Sequence, residues 1–254
     1  MHIKETTHKN SAIIFTDSPH AYTLRVTGEL LTSATTFIDQ FFPKFQSQKN
    51  AEAYARKNGL TVEYVLNVWK TKGKIAGDFG THIHNFAEHR ISEAGAPAED
   101  FPLKFCGKER AYRVAVEKAI EQMRTKFLFL ATEKIVFDPV IGLAGMIDVV
   151  TEDRDNGDIV LFDWKTNESI DRDNVWQNAH EPISHLESCN WNKYQLQLNL
   201  YKCICKWNDY FPGRNIRVGL VHLQPHKAVF LKVRDLTTEI CDMVIHHIEN
   251  QMEA

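Results

Sequence analysis

The chain has 254 residues, with 30 Lys and Arg against 33 Asp and Glu for a formal charge of −3. That length suits one large domain with a substantial core, and the charge excludes a protein that coats nucleic acid by net charge alone. The five cysteines (Cys106, Cys189, Cys203, Cys205, Cys241) are odd in number and irregularly spaced, which argues against a disulfide framework, and they also lack zinc-type CxxC pairs. The polar stretch Met1 to Asn10 carries no apolar run of a signal peptide. No stretch reaches the length of a membrane span. The expected setting is reducing and aqueous.

In chain order, Ser11 to Phe15 and Tyr22 to Val26 read as short strands around the turn Thr16-Asp17-Ser18-Pro19. Thr32 or Ser33 then caps an amphipathic stretch, Thr35 to Phe42. A helix start also presents free N–H groups to phosphate, although plain capping is the commoner role. Two helices are expected over Gln46 to Lys57 and Thr61 to Lys72, separated by the C-cap signal Asn58-Gly59. Gly73 to Gly80 reads as a break. A further helix starts at Gly80 and ends before Gly95-Ala96-Pro97, with Ile83, Phe86, Ala87 and Ile91 on its buried face. His84 and Glu88 are four apart and share one face. A lone helical histidine is more often structural than a ligand, and at this point both roles stay open for His84.

Lys108 to Phe129 forms the longest helical pattern, and its basic residues read as a solvated face. Ala131 to Phe137 is a strand with Glu133, Ile135 and Phe137 on one face. Two alternating apolar runs follow, on either side of Asp153 to Asp158, where Asn156-Gly157 is a strong hairpin signal. A tight turn pairs Asp148 with Lys165, and a longer one pairs Asp148 with Asp163. Either register puts Asp148, Asp163 and Lys165 on one face and turns Phe162 and Trp164 to the other. Two carboxylates and an ammonium are expensive to desolvate together, and a divalent cation would remove most of that cost. The pattern reads as a metal site, although structural ion-pair networks gather charges too. Thr166 to Asn192 is a long polar segment anchored by Trp176 and Trp191, of a length usual for a functional loop or lid. Tyr194 to Tyr201 opens an amphipathic helix with Gln197 and Tyr201 on one face. Strands over Arg217 to Leu223 and Ala228 to Val233, turning near Pro225-His226, precede a closing helix from Thr237. The order of elements is α/β or α+β around a mixed central sheet.

Four motifs stand in sequence: Gly80-x-x-x-His84, Gly145-x-x-Asp148, Asp163-x-Lys165 and Gln197-x-x-x-Tyr201. Together with Leu31 to Ile38 they resemble the PD-(D/E)XK nuclease superfamily, and within it the RecB-like exonuclease branch. The pattern is similar to that of phage and bacterial relatives of the mitochondrial genome maintenance exonuclease. The usual proline-aspartate pair is replaced by Ile147-Asp148, as is common in that branch. The resemblance implies a restriction-endonuclease-like core within a single domain. Residues 1–79 would form an N-terminal hairpin and helical region, and residues 80–254 the catalytic core. It implies Mg²⁺ or Mn²⁺ held by His84, Asp148, Asp163 and the Trp164 carbonyl, the carboxylates and the carbonyl being the hard oxygen donors these ions prefer. Lys165 would act beside the attacking water, and Gln197 and Tyr201 would hydrogen-bond substrate or catalytic groups. Glu88 and Glu133 are candidates for supporting positions around the metal, and Ser33, Thr35, Thr166 and Trp176 for DNA contacts. Some RecB-like relatives hold an iron–sulfur cluster through four cysteines. Here Cys203 and Cys205 are one apart, with no matching set, so no cluster is expected.

The implied activity is a deoxyribonuclease, expected to act as an exonuclease on single-stranded DNA ends in repair, recombination or replication. The implied location is the cytoplasm of a bacterial or phage-infected cell. The competing readings are a structure-specific endonuclease and a catalytically inactive nucleic-acid-binding subunit. No recognition-helix module or zinc finger is appended to read sequence. The helices before His84 and the segment from Thr166 to Asn192 flank the motifs, and arched over the metal face they would form a passage for a single strand.

Overall fold

The computed structural model of the chain describes residues 3–4, 12–17, 20–93 and 95–252, without the side chains of residues 3, 4, 106 and 251. Ser11, most of the stretch from Met1 to Asn10, and the Ser18-Pro19 half of the expected turn lie outside the described residues. In order come β1 (Ile3–Lys4), β2 (Ile13–Thr16), β3 (Ala21–Leu24), β4 (Leu30–Ser33), α1 (Ala34–Asp39), α2 (Ser47–Asn58) and α3 (Val62–Ser92). They are followed by α4 (Cys106–Lys126), β5 (Phe127–Asp138), β6 (Leu143–Asp153), β7 (Ile159–Lys165), α5 (Asn190–Trp207), β8 (Ile216–Gln224), β9 (Lys227–Lys232) and α6 (Thr237–Met252).

The strands join one mixed sheet in the order β1-β2-β3-β4-β6-β7-β8-β9, with β5 paired to β6. β7 and β8 run parallel, as do β4 and β6, whereas β5–β6, β6–β7 and β8–β9 are antiparallel. Parallel β7 and β8 need a crossover, and α5 supplies it. The side chains of β7 alternate between two cores. Ile159 and Leu161 pack with α1, α5 and α6, while Val160, Phe162 and Trp164 pack with α3 and α4. The sheet is therefore covered by helices on both faces, the restriction-endonuclease-like arrangement.

Local signals explain several boundaries. Ser33 caps α1 by accepting the Thr36 N–H, and Thr61 caps α3 by accepting that of Tyr64. Gly59 ends α2 at φ 64°, a left-handed conformation that glycine adopts without a Cβ penalty. Two expectations fail. The break at Gly73 to Gly80 does not exist, because α3 runs through it as a single 31-residue helix. Each glycine weakens a helix by about 1 kcal/mol relative to alanine. Packing of Phe79, Ile83 and Phe86 at one end and of Val65 at the other outweighs that loss. The helix expected up to Phe129 stops at Lys126, since Phe127, Leu128 and Phe129 pair with Asp153, Glu152 and Thr151. The neighbouring strand claims them despite their fit to the helical period.

The segment between β7 and α5 has no regular element apart from a bridge between Asn178 and Glu187. Trp176 does not anchor it, being 89% exposed. Ala179, Ile183 and Leu186 do that work in the core, with half-buried Trp191 packed against them.

Candidate active site

The β6–β7 ladder runs from Glu152↔Ile159 to Val149↔Phe162 and then stops. This is the longer-turn register, with Asp148 level with Asp163. Beyond the last pair the Asp148 side chain takes over from backbone, and its Oδ2 accepts the Trp164 N–H at 2.7 Å. The strands part there, and the opening is lined by charge. Lys165 Nζ lies 2.6 Å from Asp163 Oδ2 and donates to Gln197 Oε1 at 3.2 Å. The Gln197 amide nitrogen donates to Asp163 Oδ1 at 3.4 Å and to the Tyr201 hydroxyl at 2.9 Å. From α3, His84 Nδ1 approaches Asp148 Oδ2 at 3.5 Å.

The glycine of the Gly145-x-x-Asp148 motif now has a physical reason. A Cβ at Gly145 would lie 2.2 Å from Tyr201 Cε1, so only glycine lets that ring rest on β6. Two motifs 56 positions apart at their first tyrosine–glycine contact are thus one packing unit.

Glu133 lies further into the site than the sequence indicated. Its neighbours pair as Thr132↔Val149 and Lys134↔Ile147, whereas Glu133 itself takes φ 48° opposite Asp148. A left-handed glutamate costs about 1–3 kcal/mol, and such strain concentrates at functional positions. Ligand atoms of His84, Glu133 and Asp148 lie within 4.8 Å of one another.

Burial acts first on every charge here, and the neighbours then decide the outcome. Burial disfavours ionised Asp163 and Asp148 adds repulsion, so Asp163 is pushed up to about 6 although Lys165 opposes this. For Asp148 burial acts upward too, but His84, Lys165 and the Trp164 N–H outweigh it and hold the carboxyl below its usual range. Burial lowers His84, yet the Asp148 carboxylate more than compensates and pushes the imidazole up to about 9. Lys165 is likewise raised, since Asp163 and Asp148 overcome its burial. Buried Asp163 beside the converging His84, Glu133 and Asp148 fits a divalent cation, the carboxylates supplying hard oxygen donors.

These groups open into a cleft of about 1170 Å³. Ser33, Thr35, Glu88, Gln197 and Tyr201 line it with the charged cluster. Thr166 and Trp176 are not among its described lining residues, although Thr166 Oγ1 would lie 3.2 Å from a Cβ at Gly80. His20 and Tyr22, from the β2–β3 hairpin, form a wall that the sequence did not reveal. Tyr22 is raised by burial and by Glu133 and Asp148, which keeps its phenol neutral. No local pattern points to these two, since they reach the cluster only through tertiary folding.

A helix-covered mixed sheet with acids and a lysine where its ladder opens defines a nuclease-type architecture. The comparison with family models agrees: residues 60–253 match the PD-(D/E)XK nuclease superfamily, and the chain belongs to it. Among curated proteins, none matches the chain in sequence. Among the described residues, no helix is long and apolar enough to cross a membrane.

Proposed function

We propose that this chain is a divalent-metal-dependent deoxyribonuclease of the RecB-like branch, an exonuclease that degrades single-stranded DNA from an end in repair, recombination or replication. The observation that carries the proposal is the convergence of His84, Glu133 and Asp148 beside buried Asp163 and Lys165. His84, Asp148, Asp163 and the Trp164 carbonyl would hold Mg²⁺ or Mn²⁺, with Glu133 near enough to join them. A bound divalent cation supplies positive charge to the phosphate oxygens and favours ionisation of water.

The chain's own groups do the rest. Lys165, held between Asp163 and Gln197, presents an ammonium to the charge that develops on the phosphorus oxygens. Gln197 fixes the Lys165 and Tyr201 side chains together, so the helix α5 sets the position of the ammonium. The Trp164 N–H orients Asp148. Ser33 and Thr35, at the cleft wall, are placed for phosphate or sugar contacts.

The test is digestion of end-labelled linear and closed-circular DNA, single- and double-stranded, with Mg²⁺, Mn²⁺ or chelator. Linear single strands should be degraded progressively only with the cation, and closed single-stranded circles should survive. Nicking of the circles at a similar rate would establish an endonuclease in its place. Full turnover in chelator would remove the metal from the proposal.

A further inference from the structure

Between residues 44 and 74 seven lysines and arginines stand against two glutamates, a local excess of five positive charges in a chain of net charge −3. α2 and the first half of α3 form a helical hairpin with a satellite core of Ala51, Ala55 and Val65, against which Trp69 packs. All seven cations are exposed, and none joins an ion pair among the described residues. Three aromatic side chains are also exposed on this segment: Phe45 at 71%, Tyr54 at 49% and Tyr64 at 57%. Phe45 and Tyr54 lie 5.9 and 6.1 Å from Trp69 between ring centroids, which holds them on one framework.

An ordinary solvated helix face mixes both signs of charge and hides its large apolar rings. Uncompensated cations interleaved with exposed aromatics suit a ligand that carries phosphates and bare flat faces. Single-stranded nucleic acid has both, whereas a duplex keeps its base faces stacked inside. The hairpin is also mechanically joined to the catalytic cleft. α3 is unbroken, and its Gly77, Thr81 and His84 line that cleft. From Trp69 to His84 is fifteen residues along the helix, or about 22 Å.

We infer that the α2–α3 hairpin is a second binding site for the DNA strand being cut, gripping single-stranded DNA away from the reacting phosphate. The inference rests on the nuclease reading above and adds a substrate-length requirement to it. At about 3.4 Å per stacked nucleotide, the separation corresponds to about six or seven nucleotides. A trinucleotide can occupy the cleft alone, whereas a long oligothymidylate reaches both sites.

The experiment compares wild type with K70Q/K72Q/K74Q and, separately, with Tyr64→Ala, all of them changes to exposed side chains. Cleavage of the trinucleotide and of the long strand is measured with Mn²⁺, and binding of the long strand and its duplex by anisotropy in chelator. The triple variant should bind the long strand about tenfold more weakly, with a log–log salt slope smaller by about two. Tyr64→Ala should weaken it severalfold, and both variants should cleave the trinucleotide at the wild-type rate. Unchanged long-strand binding in both variants, equal losses on both substrates, or tighter wild-type binding to duplex would each overturn the inference. If wild type cuts neither substrate, the nuclease reading fails, and the binding measurements in chelator still judge the hairpin by itself.

Discussion

The β6–β7 hairpin carries carboxylates at both ends, and the two ends treat them differently. At the turn, buried Asp153 pairs with Arg217 and Lys126 and accepts the Asp155 N–H at 3.1 Å. Asp158 there is 2.9 Å from Arg217 Nε and accepts from Asn215 at 3.1 Å. The backbone N–H and the arginine hold Asp153 below its usual range. At the open end, Asp148 and Asp163 share one lysine and one histidine, Glu133 adds a third carboxylate beside them, and Asp163 is raised to about 6. A structural carboxylate is supplied with its counter-charges by the chain. The open end, with Glu133 included, gathers three carboxylates around one lysine and one histidine, a concentration of negative charge that suits a cation.

The contrast is sharpest in Asp163→Asn. The change removes an anion at nearly constant volume, so hydrolysis should fall about a thousandfold or more, on the scale of losing a preorganised electrostatic group. The thermal shift produced by Mn²⁺ should shrink with it. The melting temperature without metal should stay near wild type, because the lost carboxylate is one whose ionisation the fold already disfavours. A large fall in that temperature would put Asp163 in the same class as Asp153. Lys165→Ala comes next. It should lower kcat about a hundredfold with little change in KM, since the ammonium acts on charge that develops in the transition state. Removing it also leaves two buried carboxylates facing each other, so the metal-free protein should melt lower and recover part of the difference with Mn²⁺. A rate within a few-fold of wild type would end the role assigned to Lys165.

Gly145→Ala tests the packing that supports the open end. The new methyl must displace the Tyr201 ring, at about 1–3 kcal/mol for overpacking. The shift carries Gln197, so the rate should drop about tenfold, as for outer positions around metal sites. Adding Tyr201→Leu makes room and should restore the melting temperature without the rate. If the double variant recovers both, the Gln197–Tyr201 contact is only structural.

Much of this site was legible because its periods are short. Alternation placed Asp148, Asp163 and Lys165 on one face and Phe162 and Trp164 on the other, and the four-residue spacing paired Gln197 with Tyr201. Asn58-Gly59 marked the end of α2 by conformation alone. What stayed hidden depends on distant partners. Gly73, Gly77 and Gly80 look like a break until packing at both ends of α3 is seen. Phe127 to Phe129 fit a helix until β6 claims them. Trp176 reads as an anchor by hydrophobicity, yet it is exposed and Ala179, Ile183 and Leu186 of the same segment enter the core. Glu133 reaches its place through a backbone conformation that no sequence period announces.

Protons and metal compete at the open end, which gives a smaller, graded effect. In the metal-free protein His84, at about 9, holds its proton through neutrality, whereas Asp163, at about 6, gives its proton up as pH rises through 6. A protonated imidazole or carboxylic acid is no ligand, so Mn²⁺ affinity should rise with pH between about 6 and 9 and level off above. Mn²⁺ titrations followed by melting at several pH values measure this directly. His84→Gln should flatten the upper part of the curve and leave the part near pH 6. An affinity independent of pH in wild type would exclude these two groups as ligands.

The least dramatic change belongs to the turn. Asp153→Asn removes a carboxylate that no substrate or cation needs, so hydrolysis and the Mn²⁺ shift should match wild type. Stability should fall, because Arg217 and Lys126 lose the anion they converge on. At neutral pH the loss should appear as a few degrees in melting temperature. Its sign with pH follows from the depressed native pKa. The unfolded chain takes up the proton first, so the stabilisation is complete above the ordinary aspartate value of about 4 and is lost as pH falls through the lower native one. The gap between wild type and variant should therefore be constant from about pH 5 upward and close below about pH 4. A gap that instead grows on acidification would mean that Asp153 is protonated in the folded protein. The two ends of the hairpin would then not differ in how their carboxylates are compensated.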